Sequence, residues 1–276
     1  MVIRLVLGFF LAYLLARVGT PMAREAALRF GVIDAPDGQL KNHRAPVAYL
    51  GGLAVFTSFL LALGMTADFD RELLALLLAS TIVAAIGLID DFGVLTPKPK
   101  VLGQVVAVFV LLKAGVIVEL VFLPWWARYV VTILWLVGLS NALNLMDIMD
   151  GLASGVGVIA AAFLLAVAEL NERWVVAAFT VALIGALLGF LRFNFHPATI
   201  YLGDCGSLFL GLTLGALAMI MDYTAHNQLG FLAPGYILAL PIIDTGYVTL
   251  LRLRSGHILG LVGYRGTSRL CMLLSM

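Results

Sequence analysis

Residues 73–91 read Leu73-Leu-Ala-Leu-Leu-Leu-Ala-Ser-Thr-Ile-Val-Ala-Ala-Ile-Gly-Leu-Ile89-Asp90-Asp91. The uncharged run from Leu73 to Ile89 falls within the ~17 to 25 residues that a helix needs to cross a bilayer. Two adjacent carboxylates then close it. At the edge of a membrane segment such groups repel each other and are costly to keep. Their presence points to a bound cation or to phosphate chemistry.

The rest of the chain repeats the first half of that pattern. Of its 276 residues, 62% are hydrophobic and 12% charged, and the mean hydropathy is +1.07, against roughly 45–50% apolar residues in a soluble domain. Apolar runs of spanning length recur at 2–18, 47–65, 72–89, 101–118, 129–145, 152–169, 174–191, 205–221 and 231–251. The expected fold class is therefore all-α, a polytopic transmembrane helical bundle of about nine spans, forming one integral-membrane domain over residues 1–276. The first run, Val2–Ala16, is read as a retained span and not a cleaved leader, because positive charge follows it at Arg17, Arg24 and Arg29.

The loops alternate in character. One set is short and acidic or aromatic: 68–72, 119–126, 169–173 and 222–228. The other holds Arg24, Arg29, Lys41, Arg44, Lys98, Lys100, Arg192, Arg252, Arg254, Arg265 and Arg269. The positive-inside rule makes this second set cytoplasmic and puts the N-terminus outside. Every polar motif falls on the same cytoplasmic set. Net charge is +1, and with no basic stripe carrying interleaved aromatics, no nucleic-acid partner is expected. Cys205 and Cys271 have neither metal nor disulfide spacing.

Three constellations carry chemistry. In the first, Asp90 and Asp91 are followed by Lys98, Lys100 and Gln104, with Pro97 and Pro99 expected to keep the intervening loop from being helical. Carboxylates can hold a divalent cation or accept a proton, while ammonium groups neutralise phosphate; an interfacial charge cluster would look the same. In the second, Asn141, Asn144, Asp147 and Asp150 recur every third residue up to Gly151. On a continuous helix neighbours in the series lie about 60° apart, giving a drifting polar stripe that must line a cavity or a cytoplasmic mouth. Polar glue between helices explains one such residue but not four. The third is Asn194-Phe-His196-Pro-Ala-Thr-Ile-Tyr201-Leu-Gly203-Asp204-Cys205-Gly206-Ser207. It puts a carboxylate among glycines at a helix mouth, either as a ligand site or as a turn capped by Asp204 or Ser207. His43, His196 and His257 have no zinc spacing, and there is neither a nucleophile elbow nor a P-loop.

Together with Lys41-Asn-His43-Arg-Ala-Pro46, Gly51-Gly52, and Pro241 to Thr245 followed by Arg252 and Arg254, these segments resemble the polyprenyl-phosphate N-acetylhexosamine-1-phosphate transferase family. That family includes the WecA/TagO-type enzymes and the phospho-MurNAc-pentapeptide translocase, and the likeness runs through nearly the whole chain in order. It implies transfer of a HexNAc-1-phosphate, GlcNAc-1-phosphate first, from a UDP-N-acetylhexosamine to undecaprenyl phosphate with release of UMP. It also implies Mg²⁺ with Mn²⁺ as its substitute, membrane lipids as surroundings, the bacterial inner membrane as location, and is compatible with a homodimer. Carried over residue by residue, Asp90 and Asp91 are the candidate catalytic carboxylates, and Asp204 with Asp91 the candidate metal ligands. Lys41, His43, Lys100, Asn144, Asp147, Asp150, Asn194, Arg252 and Arg254 are the candidate substrate-binding residues. Transfer is either direct or through an aspartyl intermediate.

Two departures stand out. Ile148 takes the place of a glycine that the family usually has after Asp147, and residues 263–270 keep arginines where the family has histidines before further spans. The chain is thus expected to lack the family's last one or two spans. The alternatives are the MurNAc-pentapeptide translocase itself, or an inactive relative that binds lipid or partners.

Overall fold

The computed structural model describes residues 1–34, 47–120, 123–221, 223, 230 and 232–254. These form α1 (Val2–Phe30), α2 (Gly51–Thr66), α3 (Arg71–Asp91), α4 (Pro97–Ala114), α5 (Trp125–Met146), α6 (Leu152–Leu170), α7 (Trp174–Asn194), α8 (Gly203–Ile220), α9 (Ala233–Ile237) and α10 (Ala239–Arg254). Two two-residue strands, β1 (Ile33–Asp34) and β2 (Val47–Ala48), pair antiparallel with Ile33 opposite Ala48.

The nine apolar runs thus become ten helices among the described residues. The last run is split at Leu238 between α9 and α10. A continuous helix would bring the Pro241 ring against the carbonyl of Ile237, so the helix restarts two residues before the proline. Six of the helices, α1, α3, α5, α6, α7 and α8, are long and apolar enough to cross a membrane. α2 and the apolar stretch Ala239–Leu251 are shorter, and α4 carries Lys98, Lys100 and Lys113. The protein is a polytopic helical membrane protein.

α8 is the axis of the bundle. Every residue of it except Asp204 and Met219 is buried, with α3 and α5 as its main neighbours and α2 and α6 also against it. In lipid such packing depends on small residues that let backbones approach. A Cβ on Gly211 would lie 2.5 Å from the Leu139 carbonyl oxygen, and one on Gly87 would lie 2.4 Å from the Asp204 carbonyl oxygen. α1 packs on α7 by the same device: Cβ atoms on Gly185 and Gly189 of α7 would lie 2.4 and 2.5 Å from the carbonyl oxygens of Phe9 and Tyr13, and Leu5, Gly8, Ala12, Ala16, Thr20, Ala23 and Ala27 form the buried face of α1. Its opposite face, with Ile3, Val6, Leu7, Phe10, Leu14 and Val18, is exposed and suited to lipid.

Polar contacts separate the two ends of the bundle. At one end Arg4 pairs with Asp68 at 2.7 Å, Arg71 donates to the Lys113 carbonyl, and Arg173 donates to the Ile220 carbonyl. At the other end Tyr201 N–H donates to the Ala48 carbonyl, Gly51 N–H to that of Tyr201 and Gly52 N–H to that of Leu202, joining β2, α2 and the entry to α8. The three polar constellations lie at this second end.

Local structure departs from expectation in three places. Asp90 and Asp91 belong to the last turn of α3, and Pro97 and Pro99 open α4 instead of breaking it. A proline in the first turn of a helix removes an N–H that has no intrahelical partner anyway. The polar stripe is cut at Met146: Asn141 and Asn144 are on α5, whereas Asp147 is its C-cap and Asp150 lies in the turn before α6, whose N-cap is Gly151 at φ 72°. α8 starts at Gly203, also at φ 72°, so neither Asp204 nor Ser207 is its N-cap.

Candidate active site

The first turn of α8 has no cap from its own sequence, yet its leading N–H groups need acceptors. Two carboxylates from other segments supply them. Asp91 Oδ1 accepts from Asp204 N–H at 2.7 Å and Asp91 Oδ2 from Cys205 N–H at 3.1 Å. Asp147 Oδ2 accepts from Gly203 N–H at 3.0 Å. Both acceptors sit at the N-terminal end of α8, toward which its first N–H groups point. Glycines allow the approach: a Cβ on Gly203 would meet Asp91 Oδ1 at 2.8 Å, and one on Gly52 would lie 2.1 Å from the Gly206 nitrogen.

With its backbone held in this way, Asp204 presents its side chain to the cleft. Its Oδ1 accepts from Asn144 Nδ2 at 2.6 Å, and Asn144 also donates to Ser207 Oγ at 2.9 Å. Its Oδ2 accepts from the Lys100 ammonium, which also donates to Asp90 Oδ2 at 2.7 Å. Side-chain exposure is 12% for Lys100, 18% for Asp90 and 24% for Asp204, so solvent screens this bridge less than a surface pair. Gln104 and Asn141 pair beneath it at 2.6 Å.

The cleft has a volume of about 280 Å³ and is lined by Tyr49, Asp90, Asp91, Gly93, Asn144, Asp147, Ile148, Gly203 and Asp204. Burial pushes the Asp147 carboxyl well above the ordinary range, and the neighbouring Asp204, Asp91 and Asp150 add to this against the pull of the Gly203 N–H. Burial, then Tyr201 and the acidic residues, also hold the Tyr49 phenol above its usual value, while Tyr201 is pushed up to about 12 by burial and then Asp150 and Asp147. The two rings lie 5.7 Å apart. Both phenols stay protonated at neutral pH, so Tyr49 brings a hydroxyl donor to an acidic cleft.

The expected site residues divide sharply in placement. Asp90, Asp91, Lys100, Asn144, Asp147 and Asp204 converge on the cleft. Asp150 does not line it; its Oδ2 accepts from Ala198 N–H at 3.0 Å and lies 2.9 Å from His196 Nδ1, fastening the turn before Tyr201. Asn194 is 1% exposed, with Oδ1 accepting from Ser154 Oγ at 2.9 Å and Nδ2 donating to the Ile200 carbonyl at 3.1 Å. It serves the inside of the bundle. Arg254 is exposed at the end of α10. Lys41, His43, the side chain of Arg252 and the 263–270 segment lie outside the described residues. Tyr49 and Ile148 line the cleft without a role assigned from sequence; the tyrosine could have been suspected from its place two residues before Gly51-Gly52.

The ligating atoms that the cleft offers, the carboxylates of Asp90 and Asp204 and the oxygens of Asp91, Asp147 and Tyr49 along its wall, are oxygen, which suits a hard divalent cation. Among the described residues no three His, Cys, Asp or Glu side chains form a metal cage. Mg²⁺ commonly uses one or two carboxylates and takes its other ligands from water and substrate phosphate. The donor set fits it.

Residues 73–222 match the family described as Glycosyl transferase family 4. Over 262 residues the chain is 31% identical to a "Probable undecaprenyl-phosphate N-acetylglucosaminyl 1-phosphate transferase" of Bacillus subtilis (strain 168), covering 91% of this chain and 72% of the relative. It is also 35% identical over 247 residues to a phospho-N-acetylmuramoyl-pentapeptide-transferase of Halalkalibacterium halodurans, covering 80% and 74%. A protein of the same name from Bacillus cytotoxicus is 32% identical over 240 residues, covering 78% and 73%.

Proposed function

This chain belongs to glycosyl transferase family 4, and from that premise we propose that it transfers GlcNAc-1-phosphate from UDP-GlcNAc to undecaprenyl phosphate in the bacterial inner membrane, releasing UMP. The observation that carries the reading is the Asp90–Lys100–Asp204 bridge at one end of the spanning helices. It puts both signs of charge where a lipid headgroup and a soluble nucleotide can meet. The motif-bearing end is the cytoplasmic one by the positive-inside rule.

Asp204 would hold Mg²⁺, with Mn²⁺ as a substitute, and the ion would supply charge neutralisation on the diphosphate. Asp90, at the membrane edge of α3, accepts the proton of the lipid phosphate or orients its oxygen. That oxygen attacks the β-phosphorus of the UDP-sugar, and the bond to the UMP oxygen breaks as the new P–O bond forms. Lys100 balances charge on the phosphates during this exchange. Asn144 fixes the Asp204 carboxylate, while Asp91 and Asp147 hold the backbone that carries it. Tyr49 offers a hydroxyl donor to the sugar nucleotide. Lys41, His43, Asp150, Asn194, Arg252 and Arg254 complete the residue set that the family likeness nominates for the substrates; the inward placement of Asn194 makes its part an indirect one.

A second reading, transfer of phospho-MurNAc-pentapeptide, is favoured by the relatives that carry that name at 32% and 35% identity. An assay of UMP release by the full chain in detergent, with undecaprenyl phosphate, Mg²⁺ and each UDP-sugar in turn, separates the two. UMP from UDP-GlcNAc is expected; release from UDP-MurNAc-pentapeptide alone selects the second reading, and release from neither by folded protein sinks both.

A further inference from the structure

Lys100 stands where a metal-dependent phosphate site has most need of a vacant carboxylate. Its ammonium bridges Asp90 Oδ2 and Asp204 Oδ2, with each of the three side chains largely buried. The other two aspartates of the cleft, Asp91 and Asp147, accept from the backbone of α8. Asp90 and Asp204 therefore form the carboxylate pair whose charge Lys100 balances. Lys100 lies in the first turn of α4, where the helix dipole disfavours a cation. The carboxylates, and not the helix, hold the ammonium in place.

We infer that Lys100 occupies the cation position between Asp90 and Asp204 in the substrate-free protein and yields it to a divalent ion when nucleotide phosphate arrives. The inference rests on the proposed transferase reading. An ammonium and a divalent cation on one carboxylate repel each other, so one must leave for the other to bind. Lysine is suited to leaving, as a compact charge on a flexible stem. A nucleotide phosphate gives the released ammonium a new partner, so metal and nucleotide load together. Until then the one ammonium between them offsets the repulsion of the two carboxylates. The exchange also resolves a contradiction in the cleft: four aspartates alone would reject an anionic substrate, whereas Lys100 turned to the phosphate and a divalent ion on Asp204 reverse the local sign.

The test is Mn²⁺ binding to the full-length detergent-solubilised protein, read from the electron paramagnetic resonance signal of free Mn²⁺, with and without UMP. Lys100→Gln is expected to bind Mn²⁺ at least about tenfold more tightly than the native protein in the absence of nucleotide, as loss of a neighbouring like charge requires. Lys100→Arg keeps the charge, so it should bind Mn²⁺ no more tightly than the native protein, and it serves as the folding control alongside thermal melting. UMP should tighten Mn²⁺ binding to the native protein and do so less in Lys100→Gln. Equal Mn²⁺ affinity in native and Lys100→Gln proteins, or no Mn²⁺ binding by either, overturns the exchange. UMP release is assayed on the same samples: active protein with equal affinities sinks the exchange alone, and inactive protein with the expected difference sinks the transferase reading alone.

Discussion

Asp91 holds Asp204 in place without touching its side chain: its two carboxylate oxygens accept from the backbone N–H groups of Asp204 and Cys205, at 2.7 and 3.1 Å. The last residue of α3 thereby caps α8 from another helix. The adjacent carboxylate, Asp90, turns to Lys100. Neighbours in sequence thus do different work, one fixing a backbone and the other facing the reactants.

Asp91→Ala leaves two N–H groups at the α8 terminus without an acceptor. A hydrogen bond whose loss leaves a buried donor unpaired costs about 1–3 kcal/mol, so a clear fall in melting temperature is expected together with loss of UMP release. Asp147→Ala removes one such bond and should lower the melting temperature less. Equal falls would show that the two caps are not apportioned as the distances indicate.

Asp204→Asn keeps side-chain size and an oxygen able to accept from Asn144, but loses the charge. Turnover should fall by at least about a hundredfold, on the order of 3 kcal/mol in transition-state stabilisation, with the melting temperature nearly unchanged. Native-like turnover at ordinary Mg²⁺ would remove the metal role from this residue.

Gly52→Ala should be poorly tolerated, because its Cβ would lie 2.1 Å from the Gly206 nitrogen, a backbone atom that cannot swing aside. Overpacking of this kind costs about 1–3 kcal/mol or more. Gly64→Ala, in the same helix with nothing within 4 Å of the added atom, is expected to be neutral or to gain about 0.5–1 kcal/mol. Melting curves of the two variants should move in opposite directions or differ widely; matching curves would contradict the close approach of α2 to α8.

Asn194→Ala would leave the buried Ser154 hydroxyl and Ile200 carbonyl without their partner, a loss of about 1–3 kcal/mol. Equilibrium binding of UMP should stay within a few-fold of native, since the amide faces the bundle interior. A collapse of UMP affinity in a stably folded variant would return Asn194 to direct contact with the nucleotide.

The membrane class and the approximate path of the chain were legible from hydrophobicity alone. Each apolar run from 2–18 to 205–221 falls on or across a helix, because a segment in lipid must satisfy its backbone internally. The single division missed was at Leu238, where one run holds two helices. Likewise the gathering of Asp90, Lys100, Asn144 and Asp204 at one end followed from loop parity, since helices of spanning length return successive odd connections to the same side.

Which carboxylate does what was decided only by tertiary structure. In the linear chain Asp90 and Asp91 are equivalent, as are Asp147 and Asp150, and Asn194 is one more amide beside a motif. Hydrogen bonds between α3 and α8 assigned Asp91 to a helix terminus, the end of α5 assigned Asp147 to the same terminus, and burial assigned Asn194 to Ser154. Sequence determined which groups reach the end of the bundle, because composition and helix length suffice for that. Packing determined the direction each group faces, because direction depends on where Gly52, Gly87 and Gly206 let α2 and α3 close on the first turn of α8.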